Sequence, residues 1–212
     1  MPRYFEGFGK RPDSLQYQGD VFESIKKGAT SLHCSQELWR EPLEISTNMN
    51  EKQLNELRIG WDLILDIDSK YLDYSKILAR QIIKVLRFYG VKGVGIKFSG
   101  SKGFHLIVPS KSFPEEINGV KTKDMFPLWP RILTQFIMEA CSAELIKGIT
   151  EISSVEYDSV KKYIRGEQKS GDFAKTVMPD LILVSSRHLF RDRKSTRLNS
   201  SHIQKSRMPS SA

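Results

Sequence analysis

Residues 96–109 read IKFSGSKGFHLIVP, two apolar runs separated by a short stretch of glycine, serine and lysine. Alternating apolar residues before Ser99 and after Gly103 predict two strands joined by a turn over residues 99–103. In the second strand, His105 lies on the opposite face from Phe104 and Leu106, which the alternation assigns to the core. The stretch therefore predicts a β-hairpin with a histidine on its other face.

The residues before this hairpin predict a strand followed by a helix. WDLILDID (61–68) alternates with a period of two residues, which is typical of a strand. YSKILARQIIKVLRFY (74–89) has apolar residues at helical spacing, with Asp73 as the expected N-cap and Gly90 as the expected end. Strand, helix and strand together predict a right-handed crossover between two parallel strands.

Further along the chain, the pattern predicts one more core helix and one more strand. WPRILTQFIMEACSAELIK (129–147) is amphipathic at helical spacing, and DLILV (180–184) is typical of a buried strand. Residues 150–178 are polar and weakly periodic, which favours a short helix and loops. The predicted class is α+β, a mixed sheet flanked by helices.

Composition and charge narrow the class of protein. The 212 residues are 39% hydrophobic, enough for a globular core, and carry a formal net charge of +8. Residues 194–212 hold four basic residues and no acid, so only half of that charge belongs to the rest of the chain. Two isolated cysteines argue against a disulfide framework, a zinc site or an iron–sulfur cluster. No apolar run or leader peptide is readable, so we expect a cytoplasmic protein with no membrane partner.

Asp66 and Asp68 form a candidate metal site. Residues two apart in a strand point to the same side, with Cα atoms about 6.5–7 Å apart. Two carboxylates on a largely buried strand repel each other, and a divalent cation between them relieves the repulsion. The alternative is a strand end at which both acids meet water.

Two further groups favour binding of an anion. The turn at 99–103 contains two glycines, two serines and Lys102, a composition suited to phosphate, although it lacks the spacing of a Walker loop. The stretch PDLILVSSRHLFR (179–191) ends in a basic cluster. The structural alternatives are an ordinary hairpin turn, a structural His105 and a solvated basic face. Carboxylates, turn and imidazole in one place would describe a nucleoside triphosphate site.

LDIDS (65–69), FSGSKGFHL (98–106) and PDLILVSSRHLFR (179–191), in this order, resemble the three motifs of the archaeo-eukaryotic primase superfamily. The likeness is greatest to the small, catalytic subunit of archaeal DNA primase. The N-terminal stretches GFGKRPDSLQYQGDVFE and GATSLHCSQELWREPLEIS also resemble that subunit, so the likeness covers nearly all of residues 3–193.

The resemblance implies roles for particular residues. Asp66, Asp68 and Asp180 match the catalytic carboxylates that bind Mg²⁺ or Mn²⁺ in a two-metal site. The groups matched to nucleotide binding are Ser99, Gly100, Lys102, Gly103, His105, His188, Arg191 and Arg3. The implied reaction is two-metal nucleotidyl transfer that makes short RNA primers on a single-stranded DNA template during replication. The implied partners are nucleoside triphosphates, the template and a primase large subunit in a heterodimer, in the nucleoid of an archaeal cell.

The chain departs from this family in two respects. The cysteines do not provide the zinc knuckle that many relatives carry. After Arg191, a Ser-Leu-His-Lys-type element is replaced by residues 194–212, which are rich in serine and lack apolar periodicity. We therefore expect a partial primase domain over 1–193, with a helical insertion around 122–178, and a foreign, disordered tail over 194–212.

Three other functions stay open at this point. An end-joining-type repair primase-polymerase would differ in its choice of sugar. A catalytically incomplete fragment would bind nucleic acid or a partner subunit without turnover. An unrelated α/β domain would carry the two aspartates by coincidence, and its carboxylates would not converge.

Overall fold

The protein combines α-helices with small antiparallel sheets in a computed structural model, which describes residues 1–5, 7, 9, 13–69, 71–99, 102–152 and 189–191. The helices are α1 (Gln18–Lys26), α2 (Glu51–Leu57), α3 (Leu72–Phe88) and α4 (Leu128–Ile152). The strands are β1 (Pro2–Arg3), β2 (Ser31–Ser35), β3 (Glu37–Trp39), β4 (Arg58–Trp61), β5 (Leu63–Ile67), β6 (Gly95–Phe98), β7 (Phe104–Val108), β8 (Glu116–Ile117), β9 (Val120–Lys121) and β10 (Leu189–Arg191). The expected α+β class is therefore confirmed.

The central sheet has the strand order β5-β7-β6, and β7 pairs antiparallel with both neighbours. The predicted hairpin is confirmed, with Phe98 opposite Phe104. Because β5 and β6 both run opposite to β7, they run parallel to each other, as predicted, but β7 lies between them. Among the described residues every strand pairing is antiparallel, so these strands do not form the expected mixed sheet.

The segment predicted as one strand over 61–68 forms two strands, because the strand pairing is interrupted at Asp62. Trp61 ends β4, which pairs with β3, while Leu63 begins β5. The Asp62 N–H donates to the Gln36 carbonyl oxygen at 2.9 Å, and one Asp62 carboxylate oxygen accepts from the Ser110 N–H at 2.8 Å. At Asp62 the chain therefore passes from the β3-β4 sheet to the β5-β7-β6 sheet.

Helices α3 and α4 pack against each other, and α3 packs on β5 and β7. The apolar residues predicted to face inward on β5 are buried, as are Leu78, Ile82 and Leu86 on α3. The predicted inward face of α4 is wrong except at Ile137, since Ile132 and Phe136 are 50% and 43% exposed. The helix instead packs through the face that carries Thr134, Ile137, Cys141 and Leu145. The principal core residues are Trp61, Leu63, Leu65, Ile67, Leu78, Ile82, Leu106, Val108, Ile137, Cys141, Leu145 and Ile149. Helix α4 is longer than the predicted segment 129–147. It extends to Ile152, because Ile149 is also fully buried.

The C-terminal end of α3 was predicted correctly, whereas its N-cap was not. Its N-cap is Tyr71 and not the predicted Asp73, which lies inside the first turn and forms an ion pair with Lys76 at 3.0 Å. Gly90 has a φ of +83°, and its N–H donates to the Arg87 carbonyl oxygen at 3.0 Å. The helix therefore ends at a left-handed glycine, as predicted.

A second sheet has the order β1-β2-β10, so it joins the N-terminus to the last described residues. Part of the expected helical insertion over 122–178 is described, since it contains α4. Residues 153–178, the strand predicted over 180–184 and the tail over 194–212 lie outside the described residues. No helix in the described ranges is long and apolar enough to cross a membrane.

Candidate functional site

Asp66 on β5 lies directly opposite His105 on β7 in the register of the central sheet. The His105 Nε2 atom is 3.3 Å from the Asp66 Oδ1 atom. The histidine side chain is 6% exposed and the aspartate side chain 21% exposed, so the pair lies at the edge of the buried volume. The two residues are far apart in sequence, and the antiparallel pairing of β5 with β7 brings their polar groups together on the face opposite the helices.

Asp68 follows the last residue of β5 and is exposed. Its Oδ1 atom accepts a hydrogen bond from the Ser69 N–H at 2.9 Å. The buried Ser69 hydroxyl accepts from the Tyr71 N–H at 3.1 Å and donates to the Tyr71 carbonyl oxygen at 2.9 Å. These bonds link Ser69 and Tyr71 between β5 and α3. Asp68 lies just before them, and only one of its carboxylate oxygens accepts the Ser69 N–H.

The turn at 99–103 closes through a bond from the Ser99 N–H to the Gly103 carbonyl oxygen, at 3.0 Å. A Cβ atom on Gly103 would overlap the Ile67 carbonyl oxygen and lie 2.8 Å from the Ser99 Oγ atom. Gly103 therefore allows the turn to approach the end of β5, close to both aspartates. Lys102 is exposed, while Gly100 and Ser101 lie outside the described residues.

The last described strand covers the histidine of this site. The ring of the buried Phe190 on β10 lies 6.2 Å from the His105 ring, centroid to centroid. Arg191 follows it and is in register with His33 on β2, while Arg3 is in register with Ser31. The region of the chain expected to carry the third motif thus ends beside the residues of the second motif.

The sequence-predicted site residues are only partly brought together. Asp66 and His105 are in contact, and Gly103 lies beside both the neighbouring Ile67 and the Ser99 hydroxyl. Arg3 lies on β1, across β2 from β10. Asp180, His188 and Gly100 lie outside the described residues. Within the described part of the chain, no group of three or more His, Cys, Asp or Glu residues is arranged to hold a metal ion.

The burial of three residues, Phe190, His33 and Ser69, was not predicted from the sequence. Phe190 belongs to the quoted third stretch, but a strand of three residues is too short to show which side chain turns inward. The imidazole of the buried His33 lies 3.1 Å from the Ser31 hydroxyl, and only its strand alternation with Leu32 hinted at burial. No sequence pattern predicted the bonds of the Ser69 hydroxyl to the Tyr71 backbone, because they depend on the geometry of the turn.

Within the part of the chain that the structure describes, Asp62 and Cys141 have shifted pKa values. Burial raises the pKa of the Asp62 carboxyl above its usual 3.8, and the Ser110 N–H bond partly offsets this. Burial raises the pKa of the Cys141 thiol to about 11, which keeps it protonated and inert. Cys34 is exposed, and neither cysteine is in a disulfide.

Comparison with known proteins finds a similar archaeal protein. The chain is 30% identical over 119 residues to an uncharacterized protein of Methanocaldococcus jannaschii. The matched part is 55% of this chain and 26% of that protein, so the chain spans about a quarter of its relative. No family model matches the sequence. No solved structure matches it either.

Proposed function

We propose that this chain is the catalytic part of an archaeal-type DNA primase, which joins nucleoside triphosphates into short RNA primers on a single-stranded DNA template. The observation that carries the proposal is the contact between Asp66 and His105 across β5 and β7. Two stretches that resemble the first and second primase motifs contain these residues. An unrelated domain with a chance pair of aspartates would give no reason for the two stretches to meet.

The proposed metal ligands are Asp66, Asp68 and Asp180. Carboxylate oxygens suit Mg²⁺ and Mn²⁺, which are hard cations. The donors fit this use because Asp66 is partly accessible and Asp68 is exposed. When bound, a pair of such cations would activate a 3′-hydroxyl and stabilise the charge that develops on the α-phosphate.

The proposed nucleotide-binding groups are Ser99, Gly100, Lys102, Gly103, His105, His188, Arg191 and Arg3. Lys102 is exposed, so its ammonium group is accessible to a phosphate. His105 is held at the edge of the core by Phe190, and its Nε2–H can donate to Asp66 or to a triphosphate oxygen. A buried donor with a fixed orientation loses little entropy when it binds an anion.

The proposal includes a primase large subunit as partner in a heterodimer, and a nucleoid-associated location in the cytoplasm of an archaeal cell. The similarity to a protein of Methanocaldococcus jannaschii supports the archaeal origin. The alternative of a non-catalytic binding fragment rests on residues 192–212, in which the family's Ser-Leu-His-Lys-type element has no counterpart.

The first test concerns the metal. Asp68→Asn is expected to abolish Mn²⁺-dependent nucleotide binding and primer extension while leaving the circular dichroism spectrum unchanged. The matched control is Asp73→Asn, which removes an exposed carboxylate on α3 and should retain both activities. Full extension by Asp68→Asn would contradict the proposal.

The second test concerns the nucleotide. Lys102→Ala and His105→Ala are each expected to weaken nucleotide binding by about 1–3 kcal/mol, the scale of a charge-assisted hydrogen bond. Lys111→Ala, an exposed lysine in the loop after β7, is the control and should bind normally. Unchanged affinity in both site variants would leave this turn as an ordinary hairpin.

The products would separate the alternatives. Extension with ribonucleotides supports a primase, and a preference for deoxyribonucleotides supports a repair primase-polymerase. Binding of nucleotide and DNA with no metal-dependent extension would support the non-catalytic fragment.

A further inference from the structure

Helix α3 carries a row of cations on its solvent side. At 100° per residue, Lys76, Arg80, Lys84 and Arg87 fall within an arc of about 80° around the helix axis. All four side chains are exposed. The buried residues of the helix lie on the opposite side, and they are Tyr74, Ser75, Leu78, Ala79, Ile82 and Leu86. The fold therefore presents this row to solvent along most of the helix.

The charges of this row are poorly compensated within the described residues. Lys76 forms an ion pair with Asp73, whereas Arg80, Lys84 and Arg87 have no carboxylate partner within 4.0 Å in the described part of the chain. Like charges at i and i+4 destabilise a helix, and both Lys76–Arg80 and Arg80–Lys84 are such pairs. The helix dipole favours Arg87 in the last turn but not the two cations in the middle. The arrangement is unfavourable for the isolated helix and suits an anionic ligand.

An exposed aromatic side chain continues the row at its end. Phe88 lies one turn beyond Lys84 and is 83% exposed. Its ring meets the Tyr89 ring edge-on at a centroid distance of 5.2 Å, and Tyr89 in turn meets Phe136 of α4 at 5.3 Å. Phe88 is thus supported from one side by the Tyr89 ring, which itself packs on Phe136. An open aromatic face beside a line of cations is the combination that binds single-stranded nucleic acid.

We propose that the α3 basic face, defined as Lys76, Arg80, Lys84, Arg87 and Phe88, binds a single-stranded nucleic acid. Successive cations at i and i+4 advance about 6 Å along the helix, a step comparable with that between neighbouring phosphates of an extended strand. Phosphates contact the cations, and an unpaired base stacks on Phe88. A duplex would not offer that base face, because its bases are already stacked on one another.

The position of α3 relates this face to the candidate site. The helix begins at Leu72, directly after the turn that contains Asp68 and Ser69. A strand bound along α3 therefore has one end beside the candidate site and the other about 24 Å away along the helix. That this strand is the template rests on the proposed function, whereas binding to α3 does not.

The test measures binding of a fluorescent oligothymidylate to the full chain without nucleotide or divalent cation. The triple variant Arg80→Gln, Lys84→Gln, Arg87→Gln is expected to bind at least tenfold more weakly near 0.1 M salt. The slope of log K against log salt concentration should fall in magnitude by about 2, from about 0.7 for each lost phosphate contact. Phe88→Ala should weaken binding about tenfold and leave this slope unchanged.

The matched control is the triple variant Lys27→Gln, Lys52→Gln, Lys121→Gln, which removes the same charge from exposed lysines elsewhere. It should bind within about twofold of the unmodified chain. Equal weakening in both triple variants would attribute binding to net charge, and an unchanged α3 variant would also overturn the proposal. Binding of anionic phosphatidylglycerol vesicles that depends on α3, with no such dependence for the oligonucleotide, would assign the face to membranes and overturn it as well.

The two proposals fail in different ways. If the α3 variants lose strand binding but no chain binds nucleotide, the proposed function fails and this inference stands. If nucleotide binding depends on Asp68 but strand binding does not depend on α3, the inference alone fails.

Discussion

Gly103 is the residue at which the hairpin turn meets the end of β5. Any side chain there would overlap the Ile67 carbonyl oxygen, which is backbone and moves only if β5 moves. Gly103→Ala is therefore expected to lower the free energy of unfolding by about 1–3 kcal/mol, the usual cost of overpacking. The measurement is urea denaturation followed by circular dichroism.

Gly95→Ala is the control for this change. A Cβ atom there would lie 3.6 Å from the Ile107 carbonyl oxygen, an ordinary contact. Alanine also loses less backbone entropy than glycine on folding, so this variant should be neutral or more stable by up to about 1 kcal/mol. Equal stability of the two variants would show that the turn does not need to approach β5 so closely.

Asp62 gives the stability of the protein a dependence on pH. Because burial raises its pKa, the folded chain holds this proton more tightly than the unfolded chain. Its contribution is therefore fully present below the usual pKa of 3.8 and is lost as the pH rises through the raised value. Asp62→Asn keeps an acceptor for the Ser110 N–H and removes the charge, so it should be more stable than the unmodified chain at pH 7 and not at pH 3.

The check is the urea midpoint measured between pH 3 and pH 7. Asp13→Asn is the control, because that aspartate is exposed. A difference between Asp62→Asn and the unmodified chain that stays constant across this range would contradict the assignment.

Alternation along the strands predicted which single residues face the core, but it did not predict which residues meet across strands. Leu63, Leu65 and Ile67 are buried as expected, and His105 lies on the other face of β7 from Phe104 and Leu106. The contact of Asp66 with His105 depends on the register of β5 with β7. That register is set by packing between distant segments, which a period of two residues does not encode.

At the scale of elements, a buried ion pair holds β3 against β4. The Arg58 Nη2 and Nε atoms donate to one oxygen of Glu37 at 2.7 and 3.1 Å, and both side chains are almost fully buried. The Arg58 guanidinium also lies 5.4 Å from the Trp39 ring and 5.1 Å from the Phe126 ring. Removing one partner of such a pair leaves an uncompensated charge in the core.

Glu37→Leu is therefore expected to cost about 3–5 kcal/mol in the free energy of unfolding. Adding Arg58→Met removes the isolated charge and should recover most of this loss. Glu51→Gln is the control, since Glu51 lies 3.5 Å from Arg58 but its side chain is 56% exposed, and it should cost less than about 1 kcal/mol. A double variant no more stable than Glu37→Leu would show that the arginine is needed for its stacking rather than its charge.

The C-terminal end of α3 and the strands of the hairpin were predicted more accurately than the boundary between β4 and β5. The end of α3 at Gly90 followed from the glycine itself, because a left-handed residue is a local requirement. The break between β4 and β5 at Asp62 was missed, because the alternation continues through it from Trp61 to Leu63. The bonds from Asp62 to Gln36 and Ser110 join segments that are distant in sequence, and no local pattern reveals them.

At the scale of the whole molecule, β10 joins the two ends of the described chain. It pairs with β2, which in turn pairs with β1, while its central residue Phe190 contacts His105 of the other sheet. The sequence predicted a basic stretch here but not this pairing, because three residues carry too little alternation to choose a partner strand. The contact between the two sheets therefore depends on residues from both ends of the described chain.

Phe190→Ala tests whether the two three-stranded sheets depend on each other. The side chain is 3% exposed, so its removal leaves a cavity between β10 and β7 and is expected to cost about 3–5 kcal/mol. Because the lost ring also packs on His105, nucleotide affinity should fall in the same variant under the proposed function. Phe190→Leu, which refills most of the cavity, should recover much of both losses.

The control for this change is Phe22→Ala on α1, where the side chain is 65% exposed and the free energy of unfolding should change by less than about 1 kcal/mol. Unfolding is followed by circular dichroism and by tryptophan fluorescence, since Trp61 reports on the core beside the central sheet. If the sheets form one cooperative unit, both signals shift together in Phe190→Ala. A variant in which the fluorescence transition keeps its midpoint would show that the central sheet folds without β10, and His105 would then be ordered by Asp66 alone.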